Sequence, residues 1–319
     1  MTEYILNKIE LSPVPLQKID EALLSEKGIK LFIKRIDLVH PFISGNKWFK
    51  LKYNLVEAYE KGFDTLLSFG GAYSNHIHAL SAAGKLLGFK TIGVIRGEEH
   101  LPLNPTLSFA KDYGMILHYI NRSEYRNKYS DELIQDFKNR FGNFYLIPEG
   151  GSNELAVKGC KEIVKEIEIP FDYVCSACGT AGTISGIISG LESNQKALGF
   201  AVLKGAQFLN DNVNYFLKKS GEVSSSNWKI IFDYHIGGYA KINSELINFI
   251  DSFREKHNIP LDPVYTGKMI YAIYDLIKKN YFPAGSTIIA IHTGGLQGID
   301  GMKDKMEFIL NQEKKERIN

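Results

Sequence analysis

Short runs of β-branched and apolar residues, at 65–69, 91–95, 115–120, 144–147, 173–175, 199–203, 228–233 and 287–291, alternate along the chain with segments of helical period. Such alternation leaves few architectures open, because strands that are each followed by a helix pair in parallel and bury both faces under the helices. The pattern predicts an α/β chain of open, twisted, mainly parallel sheets flanked by helices. Leu246, Ile247, Ile250 and Phe253 show the helical spacing, which buries one stripe. Ser130 before Asp-Glu and Asn243 before Ser-Glu supply helix starts. The charged stretch 312–319 is expected to fray.

Glycines collect where the runs end: Gly70 and Gly71 after the first, Gly150 and Gly151 after the fourth, Gly179 and Gly182 after the fifth, Gly294 and Gly295 after the last. Open α/β sheets bind ligands beyond the carboxyl ends of their strands, where glycine admits a ligand to the backbone and helix N-termini offer free N–H groups. Several such corners imply one shared cleft.

Charge narrows what could occupy it. Lys and Arg number 38 against 36 Asp and Glu, a net charge of +2 over 319 residues, which provides no global field for a nucleic acid or an acidic membrane. No apolar run approaches the roughly 20 residues of a membrane span, and 1–6 lack a secretory pattern. A cytoplasmic protein acting on a small molecule is expected. Cys160, Cys175 and Cys178 are too few for a secreted disulfide framework. Cys175-x-x-Cys178 has no second Cys/His pair at ligand spacing, and none of the eight histidines forms a His-Glu-x-x-His pattern, so no metal site is expected.

Three segments carry chemistry. The run 173–178 leads into Gly179, Thr180, Ala181, Gly182 and Thr183 and then an apolar helix pattern. Small residues and hydroxyls at a helix start can cradle one phosphate; the spacing fits neither a Walker loop nor a dinucleotide fingerprint. Taken alone it could equally be a tight turn. Lys47 and Lys50 fall on one face if their segment is helical, a like-charge pair that a bound anion would relieve. A lysine beside another cation in an apolar pocket becomes a nucleophile suited to Schiff-base formation, although solvated surface lysines have the same spacing. Ser74, Asn75 and His76 follow the first glycine pair and could hold a carboxylate, or Ser74 or Asn75 could simply cap the helix.

Together these motifs resemble the pyridoxal-phosphate (PLP) enzymes comprising 1-aminocyclopropane-1-carboxylate (ACC) deaminases and D-cysteine desulfhydrases, within the tryptophan-synthase-β-like fold. The resemblance spans about 31–298 and rests on Lys34-Arg-x-Asp-Leu38, Gly45-Asn-Lys-x-x-Lys-Leu51, Gly70-Gly-x-x-Ser-Asn-His76, Ile147-Pro-x-Gly-Gly-Ser152, the 179–183 loop, Pro263-Val-Tyr-x-Gly-Lys268 and His292-Thr-Gly-Gly295. It implies that Lys47 holds the cofactor covalently and that Lys50 with Gly179 to Thr183 binds its phosphate. Asn75 would bond the phenolic oxygen, Ser74 would face the substrate, and the Ser74, Asn75 and His76 amides would take its carboxylate. Tyr239 and Tyr265 match two active-site tyrosines.

ACC deaminases of this family generally carry Glu after the second tyrosine and Leu at the position of Thr293. Here Thr266 and Thr293 stand there, which resembles the desulfhydrase branch: a threonine hydroxyl can bond a neutral pyridine nitrogen, with Thr293 the first choice and Thr266 its neighbour. The resemblance thus implies β-elimination from D-cysteine to pyruvate, ammonia and sulfide, with Lys47 or Ser74 taking the α-proton and a tyrosine serving as acid. The alternative is ACC ring opening to 2-oxobutyrate and ammonia. Trp48, Phe49, Ala72, Tyr73 and Glu149 depart from close family patterns near the cleft. Rival readings are a noncatalytic two-lobed binder and β-replacement on L-amino acids, which expects a different lysine motif. A homodimer is expected, with a large PLP domain of 1–47 and 154–319 and a smaller mobile α/β domain of 48–153.

Overall fold

A computed structural model describes residues 5–221 and 226–318. Ten strands form two sheets. One has six strands, in the order β1 (Leu16–Ile19), β2 (Lys30–Lys34), β10 (Thr287–Ile291), β7 (Tyr173–Cys178), β8 (Lys196–Ala201) and β9 (Trp228–Ile231). The other has four, in the order β5 (Ile116–Ile120), β4 (Lys90–Arg96), β3 (Thr65–Gly70) and β6 (Tyr145–Ile147). All pairings are parallel except β1 with β2. The expected architecture of two open, mainly parallel sheets with flanking helices is therefore correct, and all eight apolar runs are strands. β1 and β2 lie outside the eight runs: β1 is four residues with Lys18 inside it, and the Leu31-Phe32-Ile33 run of β2 is only three residues between two lysines.

Every residue of β3 and of β7 is buried, as expected of parallel strands covered on both faces. In β3, Leu66 joins the large core shared by both sheets while Leu67 and Phe69 face a separate cluster with Phe137. That shared core includes Leu51 and Leu55 of α2 (Asn46–Glu60), Leu80 of α3 (Asn75–Leu87), Ile163 of α7 (Glu154–Lys165) and Ile187 of α8 (Gly182–Ser189). α2 and α7 pack closely: a Cβ on Gly159 would lie 1.8 Å from the Phe49 carbonyl oxygen.

Ser130 and Asn243 cap their helices as expected, by accepting from the Leu133 and Leu246 N–H groups. The stretch expected to fray continues as a helix, Lys303–Ile318. None of the helices among the described residues is long and apolar enough to cross a membrane.

The strand orders place the site. From β3 the chain proceeds outward through β4 and β5, then returns to β6 on the other side; from β7 it proceeds through β8 and β9, then returns to β10. Each reversal leaves a crevice at the strand ends, between β3 and β6 and between β7 and β10. The four glycine corners lie at these two crevices.

Candidate active site

The two crevices meet. A Cβ on Gly182, after β7, would lie 2.9 Å from Ser152 Oγ, after β6, and one on Gly295, after β10, would lie 2.7 Å from Asn75 Nδ2, after β3. Corners far apart in sequence thus converge on one cleft.

Gly45 opens α2 at φ 65°, and a Cβ there would sit 2.0 Å from the Thr293 carbonyl oxygen. Only glycine fits both the left-handed backbone and the close approach. The same carbonyl accepts from the Asn46 N–H at 3.2 Å, which locks the start of α2 to the end of β10. Lys47 and Lys50 then follow on one helical face.

Lys47 Nζ donates to Asn46 Oδ1 at 2.7 Å, and Asn46 Nδ2 donates to Thr183 Oγ1 at 2.9 Å. Lys50 is 1% exposed, which excludes a solvated surface lysine. It donates to Ser152 Oγ at 2.7 Å and to Thr180 Oγ1 at 3.3 Å. Among the described residues these hydrogen-bond partners are all neutral, so neither ammonium is compensated by a contacting carboxylate. Desolvation lowers Lys47 to about 8, and desolvation with repulsion from Lys47 lowers Lys50 to about 7. α8 begins beside them without a side-chain cap, adding the positive end of its dipole. This corner demands an anion.

Ser74 caps α3, its Oγ accepting from the Ile77 N–H at 3.3 Å. His76 is buried and loses its proton well below the ordinary histidine value through desolvation and the Lys50 and Lys47 charges. Its Nε2 lies 2.8 Å from Ser68 Oγ, whose proton goes to the Ile147 carbonyl at 2.7 Å, so Nε2 carries the hydrogen. Nδ1 is left as a buried acceptor without a partner. Asn75 Oδ1 accepts from Gln297 Nε2, which frees the Asn75 amide N–H groups to donate elsewhere.

Across the cleft, Tyr265 packs on the loop after β7: a Cβ on Gly179 would be 2.9 Å from its ring. Tyr265 donates to the Tyr239 hydroxyl at 3.4 Å, and the rings meet edge to face at 6.0 Å. Burial and the neighbouring tyrosine hold the Tyr265 proton well above the ordinary phenol range. Asp262 fixes this segment by accepting from the Val264, Tyr265 and Thr266 N–H groups. Thr266 is fully buried and its hydroxyl has no partner; Thr293 is also buried.

Of the unusual residues near the cleft, Trp48 and Phe49 turn away into the shared core. Tyr73 packs against Gly301, and Glu149 is engaged by the Tyr125 hydroxyl at 2.7 Å and Lys128 Nζ at 3.1 Å. Cys175 and Cys178 belong to different core clusters, on opposite faces of β7. Asn46, Ser152 and Asp262 join the site as structural partners that their residue types alone do not announce. The first two lie inside quoted motifs, whereas Gln297 carries no sequence signal.

These features fit pyridoxal phosphate: an uncompensated lysine pair, hydroxyls at an uncapped helix start, and a buried hydroxyl without a partner on the residue after Tyr265. The family model of the "Pyridoxal-phosphate dependent enzyme" matches residues 9–294. A Pyrococcus horikoshii protein named "Putative 1-aminocyclopropane-1-carboxylate deaminase" is 32% identical over 95% of this chain and 96% of its own. An Arabidopsis thaliana protein named "Bifunctional D-cysteine desulfhydrase/1-aminocyclopropane-1-carboxylate deaminase, mitochondrial" is 32% identical over 89% of this chain and 76% of its own. A crystal structure of "the ACC deaminase homologue" superimposes with a TM-score of 0.83 at 31% identity, covering 97% of this chain and 98% of that one. The chain belongs to the pyridoxal-phosphate dependent enzymes of tryptophan-synthase-β-like fold, among the homologues of ACC deaminase and D-cysteine desulfhydrase.

Proposed function

We propose that the protein is a PLP-dependent lyase that eliminates the β-substituent of a small D-amino acid, D-cysteine first, releasing sulfide and an enamine that water hydrolyses to pyruvate and ammonia. The observation that carries this choice is the buried, unpartnered Thr266 hydroxyl, with Thr293, where a carboxylate would favour the stronger electron sink that ring opening demands. Loss of an α-proton and a thiolate needs less.

In this reading Lys47 holds the cofactor covalently; Lys50, Ser152 and the 179–183 loop hold its phosphate. Asn75 donates to its phenolic oxygen, and Thr293 with Thr266 faces its ring nitrogen. When bound, pyridoxal phosphate supplies an electron sink for the carbanion at the substrate α-carbon. The Ser74, Asn75 and His76 amides bind the substrate carboxylate. Once the substrate amine has displaced it, the Lys47 amine, lowered toward neutrality, takes the α-proton. Ser74 Oγ, which keeps a second lone pair beside the one that accepts from the Ile77 N–H, faces the substrate and is the alternative base. As the carbon–sulfur bond breaks and its electron pair goes to sulfur, the Tyr239 hydroxyl donates a proton, supported by the Tyr265 hydroxyl behind it. A mobile smaller domain of 48–153 closing over a larger one, in a cytoplasmic homodimer, completes the proposal.

ACC deamination is the second reading, favoured by the names of the P. horikoshii and A. thaliana relatives. The two separate in one assay: 2-oxoacid release from D-cysteine, L-cysteine and ACC by PLP-loaded protein. Pyruvate from D-cysteine alone is expected; 2-oxobutyrate from ACC would overturn the threonine argument.

A further inference from the structure

We infer that Lys268 is a positioning residue that clamps the 234–240 turn and thereby holds the Tyr239 hydroxyl against Tyr265. Lys268 is 1% exposed, and its ammonium donates to the His235 and Gly238 carbonyl oxygens, both at 2.8 Å. An ammonium is buried at a cost that only good acceptors offset. The acceptors it has found belong to a strained turn. Ile236, Gly237, Gly238 and Ala240 all have positive φ, at 51°, 82°, 129° and 53°. A β-branched residue rarely adopts that backbone unless its surroundings impose it.

The clamp has a fixed base. Lys268 lies three residues after Tyr265 in α11 (Thr266–Lys278), whose first N–H groups are tied to Asp262. Tyr234 Oη donates to Asp275 of the same helix at 2.6 Å, so α11 holds the turn at its first residue as well as at 235 and 238. Lys305 adds an exposed tether to the Ala240 carbonyl. Tyr239 itself is 47% exposed, so its own burial does little to fix it. Its place beside Tyr265 follows from the backbone that carries it.

The inference rests on the reading of Tyr239 as the leaving-group acid, and the test separates the two. PLP-loaded wild type, Lys268→Met, Tyr239→Phe and the double variant are compared on D-cysteine and on β-chloro-D-alanine, whose chloride leaves without a proton. Lys268→Met should lower kcat on D-cysteine about tenfold or more while changing the chloro substrate less than about twofold. The double variant should be no slower than Tyr239→Phe alone, since both changes remove one device. Equal slowing of both substrates, or additive losses, would overturn the inference.

Amide hydrogen exchange supplies a readout independent of turnover: peptides covering 234–241 should exchange faster in Lys268→Met, with α11 unchanged. Unchanged exchange there would overturn the clamp. If wild type does not turn over D-cysteine, the proposed reaction falls and exchange alone decides the clamp. Lys268→Arg, which keeps the donors, should retain wild-type exchange and guards against a Met variant that does not fold; fast exchange in a folded Arg variant also counts against the clamp.

Discussion

The Lys50 ammonium donates to the Ser152 hydroxyl at 2.7 Å across 102 residues of sequence. This bond joins the helix that carries Lys47 to the glycine pair after β6, and it presents a buried cation to the uncapped start of α8. Because Lys50 has no contacting carboxylate among the described residues, an anion bound there is its natural counter-charge. Lys50→Met is expected to weaken PLP affinity about tenfold to hundredfold, the range for a charge-assisted bond. Titration of cofactor-free protein by absorbance or calorimetry checks this; wild-type affinity in the variant would contradict it.

Lys47→Ala should abolish turnover of every amino-acid substrate, by at least about a thousandfold, because it removes both the covalent anchor and the proposed base. Full activity in purified Lys47→Ala protein would refute the proposed elimination and the ACC alternative together.

The depressed lysine predicts a pH dependence of stability. Lys50 titrates at about 7 in the folded chain against 10.5 ordinarily, so between these values the unfolded chain binds a proton that the folded chain has released. The contribution of Lys50 to the stability of cofactor-free protein therefore rises with pH through that window and is flat below it. Urea midpoints at pH 7 and 9.5 should show a larger gain in wild type than in Lys50→Met. Equal gains would contradict the assignment.

Gly45→Ala tests how the site is built. With φ at 65° and a Cβ 2.0 Å from the Thr293 carbonyl oxygen, the change must separate the start of α2 from the end of β10. A loss of about 2–4 kcal/mol is expected from combined strain and overpacking, measured by denaturant unfolding. A neutral effect would mean that the two segments separate at little cost.

What was legible in the sequence was local. The β3 and β7 runs are continuous and apolar because parallel central strands are buried on both faces, and Ser74, Ser130 and Asn243 announce their helices by capping chemistry. β1 shows no apolar run because it is an edge strand held by antiparallel pairing, and the three apolar residues of β2 do not stand out between its terminal lysines. The Lys47 and Lys50 spacing showed one face but not its burial, which depends on Ser152 and Thr180 arriving from distant segments. Trp48 and Phe49 looked like cleft residues by proximity in sequence, yet the helix turns them into the core. Gln297 could not be read at all, since its contact with Asn75 exists only once β10 lies beside the β3 corner.

The most direct test of the account is to load the protein with PLP, reduce it with borohydride and map the modified peptide by mass spectrometry. A phosphopyridoxyl group is expected on Lys47 alone, with Lys50 unmodified although its ammonium is depressed further, because Lys50 serves the phosphate. Modification of Lys50, of Lys268 or of no lysine would contradict it.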